Sequence, residues 1–247
     1  MAAVESVNLL RGTALSKNPR TPQERIANLY PDFSEQEAEK FVEALRAKGD
    51  PDQAIDKLKE ELDQLKHALR NWEDGVMGYA SPDSSTDADY ADFRSNGGRH
   101  IRDRLIDCFK RKSTAFGERS THPEGGYILD LSSEVLSRDL DRWWTHLQEQ
   151  PSIKKYLDQV TVLNLDNTRF STDAGGLLSD FSHIRQLSAR NSDLTVLPPD
   201  IGKMGLLETL RLSNNSITLT PESAKQLGSL TRLKTLRLDG NPLIQPL

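Results

Sequence analysis

Apolar positions along this 247-residue chain follow two rules, a three-and-four spacing in the first half and a strict L-x-x-L-x-L-x-x-N-x-L frame in the second. The frame is complete at residues 207–217 and again at 233–243, where Leu210, Leu212 and Asn215 are answered by Leu236, Leu238 and Asn241. Two looser copies precede them. Residues 160–170 keep Leu163 and Leu165 and residues 184–194 keep Leu187 and Ala189, with Thr168 and Ser192 standing in for the asparagine. Copies begin 23 to 26 residues apart. An x-L-x-L-x stretch makes a short strand whose alternate leucines face one way. One copy cannot bury that face by itself, so the copies must stack as parallel strands about 4.8 Å apart. A degenerate frame at 127–136 keeps Leu129 and Leu131, has Glu134 at the asparagine position, and reads as a capping strand.

This spacing is that of leucine-rich repeats. It predicts an α/β chain, with a helical N-terminal region followed by a short leucine-rich-repeat solenoid whose parallel strands line a concave face. Asn215 and Asn241 are expected to point inward, their amides satisfying backbone groups where the chain leaves each strand. The outward positions are the expected partner-binding surface. Their middle column is Asn164, Ser188, Arg211 and Arg237, and the next column is Asp166, Arg190, Ser213 and Asp239. Arg211 and Arg237 fall on neighbouring strands as like charges, an arrangement disfavoured unless carboxylates are near. Glu208 and Asp239 are the internal candidates for that role, and an acidic partner met bidentately by the arginines is the external one.

The first half divides by its punctuation. Residues 1–20 lack periodicity and read as a flexible leader, without the apolar core of a classical signal peptide. The helical region at 21–74 opens with Thr21-Pro22, an N-cap followed by proline in the first turn, and Pro31 ends that helix. Ser34 and Glu37 make a capping box for the next. Asp50-Pro51 starts a third helix whose seam, Ile55, Leu58, Leu62, Leu65, Leu69 and Trp72, faces its neighbour through Phe41 and Leu45. Residues 75–98, rich in Ser, Asp and Gly, read as a flexible loop. Asp83, Asp87, Asp89 and Asp92 within it do not fit an EF-hand, which needs glycine at its sixth position and glutamate at its twelfth. Residues 99–159 read as a helical cap for the repeats, including the degenerate strand and the pair Trp143-Trp144, which cannot both face one core direction. Trp143 and Trp144 are expected to be structural. Residues 160–247 hold the repeats.

Charge and composition then exclude several classes. A formal net charge of -5 gives no electrostatic footprint for nucleic acid. No apolar run approaches the roughly 18 residues of a membrane span. The single cysteine, Cys108, forms no internal disulfide and no cysteine-based zinc site, and its helical spacing with Ile101, Leu105 and Phe109 makes it a buried hydrophobe. The five histidines show no metal spacing, and no nucleophile elbow or phosphate loop is present, so no catalytic residue, metal or cofactor is expected.

The order of segments carries a resemblance. Leu29-Tyr30-Pro31-Asp32-Phe33, then Leu69-Arg70-Asn71-Trp72, the helix at 101–112, and repeats with Phe181-Ser182-His183-Ile184, Leu197-Pro198 and Asn241-Pro242-Leu243 resemble the large bacterial leucine-rich-repeat effectors of the NEL (novel E3 ligase) class. The resemblance covers residues 21–247 loosely. It implies a virulence protein secreted into the host-cell cytoplasm, whose repeats bind a host protein for an E3 ubiquitin ligase domain. That domain's cysteine lies in a Cys-x-Asp motif. Cys108 sits in Asp107-Cys108-Phe109-Lys110 and does not match, so no family catalytic residue carries over. The resemblance therefore implies the recognition portion alone. The alternatives are a shortened regulatory or structural fragment, cytoplasmic and without its own ligand, or a ligase of unfamiliar layout using Cys108. With only four residues after Leu243, the last complete repeat is expected to lack a cap: either the chain is shortened or a partner covers that edge, and self-association through the uncapped Leu236 and Leu238 is one hypothesis.

Overall fold

The computed structural model describes residues 21–78, 87–133, 140, 144, 147, 150–170 and 175–244. Its first half contains α1 (Pro22–Leu29), α2 (Glu35–Arg46), α3 (Pro51–Gly78) and α4 (Asp87–Phe109). The caps are where the sequence places them. Thr21 Oγ1 accepts from the Glu24 amide at 3.2 Å while the Glu24 carboxylate accepts from the Thr21 amide at 3.1 Å. Ser34 and Glu37 repeat the exchange at the start of α2. Between these helices Tyr30 leaves the helical region ahead of Pro31, with φ -121° and ψ 78°.

The long helix α3 joins two cores. Its first turns bury Ile55 against Ile26, Tyr30, Phe33, Phe41, Val42 and Leu45, with Leu58 partly buried alongside. From Leu62 onward the seam belongs to the main core, where Leu65, Leu69 and Trp72 share one cluster with Ile101, Leu105 and Cys108 of α4. Phe41 and Leu45 therefore face only the beginning of the seam. The loop expected at 75–98 is shorter than its composition suggested, since α3 runs to Gly78 and α4 starts at Asp87. Two glycines inside α4, Gly97 and Gly98, disfavour a helix by about 1 kcal/mol each. Burying Ile101 and Leu105 contributes roughly 1.5–3 kcal/mol apiece, so packing overrides propensity. Asp83 and the neighbouring residues 79–86 lie outside the described residues.

After α4 come a tight hairpin, β1 (Thr114–Ala115) and β2 (Glu118–Arg119), and then the repeat ladder. The ladder comprises β3 (Tyr127–Asp130), α5 (Pro151–Leu157), β4 (Val160–Asn164), α6 (Gly175–Leu178), β5 (Gln186–Ser188), β6 (Thr209–Arg211), α7 (Pro221–Gly228) and β7 (Thr235–Arg237). All five strands β3 to β7 are parallel and lie side by side in chain order. Leu129, Leu163, Leu187, Leu210 and Leu236 form one inward column across them. The degenerate frame is thus the first strand of the ladder, with Leu129 and Leu131 fully buried. The cap closes over it: Tyr156 of α5 donates its hydroxyl to the Glu61 carbonyl of α3 at 2.7 Å. Trp144 is buried, donates Nε1 to Asp180 at 2.9 Å, and sets its ring 5.5 Å from Phe181. Trp143 lies outside the described residues.

Each repeat must turn out of its strand without stranding backbone groups in the core. Asn215 does this with both ends of its amide. Its Oδ1 accepts from the Ser192 and Leu194 amides at 2.9 and 3.1 Å, while Nδ2 donates to the Ala189 and Leu212 carbonyls at 2.7 and 2.9 Å. Asn241 accepts from Ile217 and donates to Leu212 and Leu238, at 2.8–2.9 Å. In the looser copies a hydroxyl does part of the work, as Ser192 Oγ donates to Leu165 O at 2.9 Å and Thr168 Oγ1 to Leu131 O at 3.3 Å. One residue earlier, Asn167, Asn191, Asn214 and Gly240 all take left-handed backbone conformations, with φ between 53° and 73°. Asparagine and glycine tolerate that region best.

The hairpin is fastened to the helical half. Arg119 pairs with the Glu37 carboxylate, donates to the Asp32 carbonyl at 2.6 Å, and lies 5.6 Å from the Phe33 ring centre. Beneath it Arg111 is almost fully buried, donating to Ser120 Oγ at 2.5 Å and to the Gly125 carbonyl at 3.3 Å, with its guanidinium 4.4 Å from the Tyr127 ring centre. The glycine pair of this loop has a packing role. A Cβ on Gly126 would come within 2.0 Å of Thr161 Cγ2.

Replacing Asn215 by Ala strands several buried groups, and a loss of about 2–4 kcal/mol is expected in urea unfolding. Asn241→Ala, at a part-buried site, should lose about half as much. The hydrogen bond from Arg119, helped by those from Ser34, holds the Glu37 carboxyl down to about 2 from its ordinary 4.5. A depressed acid stabilises the fold fully above its unfolded pKa, and that contribution disappears as pH falls from about 4.5 to about 2. Glu37→Gln should flatten this part of the stability–pH curve, by on the order of 1 kcal/mol after solvent screening, as read by thermal melts across that range.

Candidate functional site

The concave face is built from the outward positions of the ladder, and its columns align by register. Asn164 pairs with Ser188, Ser188 with Arg211, and Arg211 with Arg237. The sheet brings these four together, but not all as a surface. Ser188 is fully buried and Asp166 and Ser213 are nearly so, which corrects their expected role in touching a partner. The reason is a polar network at the strand ends. The Asp166 carboxylate accepts from Ser188 Oγ at 2.5 Å, the Arg190 amide at 2.8 Å and Arg190 Nε at 2.9 Å, and forms an ion pair with Arg190 Nη2 at 2.7 Å. Ser213 Oγ donates to Asp239 at 2.8 Å. Asn164 is half-buried and accepts from the Asp166 amide. Arg190, Arg211, Arg237 and Asp239 keep accessible surface.

The charges do not pair as the residue order suggests. Glu208 forms an ion pair with Lys234 at 2.6 Å, and that hydrogen bond lowers its carboxyl pKa from the usual value. Asp239 is engaged by Ser213. Hydrogen bonding and charge from Asp166 raise the Arg190 pKa. Among the described residues no carboxylate forms an ion pair with Arg211 or Arg237.

What meets Arg211 is an aromatic ring from the hairpin, a contact that the reading of the sequence missed. The Arg211 guanidinium lies 4.3 Å from the centre of the Phe116 ring. Phe116 and Gly117 form the hairpin turn with φ of 56° and 78°, both left-handed, as a two-residue hairpin of right-handed twist requires. Next to the turn, Ala115 packs on Ile128 and Val162, two outward residues of β3 and β4 that are buried by this cover. Glu118 accepts from Gln186 Nε2 of β5 at 3.1 Å. The hairpin thus lies over the first strands, its tip reaches β6, and Arg237 on β7 stands exposed beyond it. The only signal in the sequence was the Phe-Gly dipeptide, because strands of two residues carry no periodicity.

Little else offers chemistry. Cys108 is buried among Leu105, Phe109 and the rest of the main core, and burial pushes its thiol far above the usual range. Such a thiol is inert rather than nucleophilic. Among the described residues no three His, Cys, Asp or Glu side chains gather as for a metal ion, and no helix is long and apolar enough to cross a membrane. A groove of about 600 Å³ runs between the hairpin base and the strand starts, past Glu118, Thr161, Arg185, Gln186 and Glu208. Asp158 and His183 also line it, and the adjacent Ser182 hydroxyl lies 2.9 Å from His183 Nδ1 and donates to Asp158 at 3.2 Å.

The family model described as Leucine Rich Repeat matches residues 206–227, which include the whole of β6 and its asparagine turn. No curated protein matches the sequence. Among solved structures, a leucine-rich-repeat protein of Leptospira interrogans is similar at 20% identity and a TM-score of 0.34, over 57% of this chain. The chain spans 35% of the length of that structure. The repeat match and the five-stranded parallel ladder together identify a leucine-rich-repeat region in this chain, a kind of region that suggests protein binding.

Proposed function

We propose that this chain recognises a partner protein through the open end of its concave face, formed by β6, β7 and the exposed guanidinium of Arg190. One observation carries this reading: two arginines, Arg211 and Arg237, stand in register on adjacent strands without a carboxylate partner among the described residues. Charge repulsion of this kind is relieved when an opposite charge arrives. The resemblance in segment order extends the proposal. In it, the protein is a secreted bacterial effector that acts in the host-cell cytoplasm, and its repeats present a host protein to a ubiquitin ligase domain outside these residues. A structural or regulatory reading draws support from the hairpin, which already covers the inner face of β3 and β4.

Site-directed photo-crosslinking separates the two. A crosslinker at the exposed Asp239, beside the two arginines, should capture one defined protein from host-cell extract, while one at Glu222 on the convex side should not. The identified protein should bind the purified chain and lose at least about tenfold in affinity to the double variant Arg211→Glu/Arg237→Glu. Absence of a specific product from Asp239, or equal products from both positions, sinks the recognition reading. A ubiquitin-loading assay with a charged conjugating enzyme should leave Cys108 unmodified, as its burial demands. A thioester there, lost in Cys108→Ser, would instead establish a ligase of new layout.

A further inference from the structure

We infer that the site takes an acidic, extended segment of its partner, and that Phe116 of the hairpin acts as a positioning residue for Arg211 within it. This deepens the recognition reading and rests on it. Arg190 is neutralised by Asp166, whereas among the described residues no carboxylate pairs with Arg211 or Arg237 on the adjoining strands. A guanidinium presents a planar fork that matches a carboxylate bidentately, and two of them one strand apart match carboxylates on a chain running across the ladder. Thr209 and Thr235, half-buried in the neighbouring outward column, add hydroxyls along the same line. On the other flank the exposed Asp239 repels carboxylates and confines them to the arginine column.

The hairpin's contacts decide between a wall and a lid. Ala115 is buried on Ile128 and Val162, Glu118 is held by Gln186, and Arg119 is held by Glu37 and the Asp32 carbonyl. Three successive attachments around the turn leave no free arm to swing. The Phe116 ring is therefore a fixed surface, and its π face holds the Arg211 guanidinium without consuming its charge. That arrangement reduces the ordering a long side chain must undergo when it meets a carboxylate.

The test uses the full chain and fluorescein-labelled poly-glutamate, read by fluorescence anisotropy, with poly-lysine as control. Poly-glutamate should bind, should weaken as salt rises, and should be lost in Arg237→Glu. Phe116→Leu, which keeps apolar bulk without a π face, should weaken binding about two- to fivefold, and Phe116→Trp should restore it. Thermal melts verify that each variant is folded; if Phe116→Leu is not, Arg211→Lys, which keeps the charge but loses the planar stack and fork, should show the same weakening. Tighter binding in Phe116→Leu would make the hairpin tip a lid and overturn the positioning role, as would unchanged affinity. Failure of poly-glutamate to bind, while the crosslinked partner still does, would refute the acidic occupant and leave recognition standing. Failure of both would remove the recognition reading itself.

Discussion

The buried guanidinium of Arg111 ties together the first two helices, the loop after the hairpin and the first ladder strand. It sits in a left-handed backbone position just after α4, donates to the loop at Ser120 and Gly125, and lies within 4.4–5.7 Å of the ring centres of Tyr127, Phe41 and Tyr30. Those rings belong to the first ladder strand and to the two small helices. A buried charge without hydrogen bonds would be strongly destabilising, so the loop carbonyls and the aromatic faces have to stay in place around it. Burial raises the pKa of both Tyr30 and Tyr127, against the lowering effect of the Arg111 charge beside them. By fixing this loop, Arg111 also fixes the hairpin that precedes it and the strand that follows.

That hairpin changes what kind of surface the ladder presents. A parallel ladder by itself offers a uniform concave face, one outward column beside another. Here the face is divided. Over β3 and β4 it is an internal interface, closed by Ala115, and toward β6 and β7 it is a polar surface with an aromatic rim at Phe116. The helical half, through Glu37 and Arg119, thus influences the repeats at a distance from its own core.

The ladder was legible in the sequence because a side-chain period of two leaves each strand only one register that buries its leucines. Leu163, Leu187, Leu210 and Leu236 fall into one column as the frame requires. Caps at Thr21 and Ser34 were legible for a similar reason, since a local hydrogen-bond exchange needs few residues to specify it. The burial of Asp166 and Ser188 was not, because it depends on a turn in the third dimension that brings Ser188 and Arg190 of one repeat onto the carboxylate of the previous one. Nor was the start of α4 at Asp87, within a stretch whose composition is typical of loops. The hairpin escaped because its specificity lies in contacts with α2, β5 and β6 rather than in its own residues.

The arginines form a gradient along the ladder, and its energetics argue for where binding energy is available. Arg190 on the β5 repeat is charge-matched within the chain, Arg211 on β6 is met by a neutral ring, and Arg237 on β7 has neither among the described residues. Two unit charges about 5 Å apart repel by about 1 kcal/mol in bulk water and by about 3 kcal/mol at an effective dielectric near 20. Long side chains splay to reduce this, and the Phe116 face offsets roughly 0.5–1 kcal/mol of it. A carboxylate arriving between Arg211 and Arg237 reverses the sign of the whole interaction, while the same group beside Arg190 would have to compete with Asp166. The open end of the ladder is therefore where an anion gains most, and the covered end contributes rigidity instead of affinity.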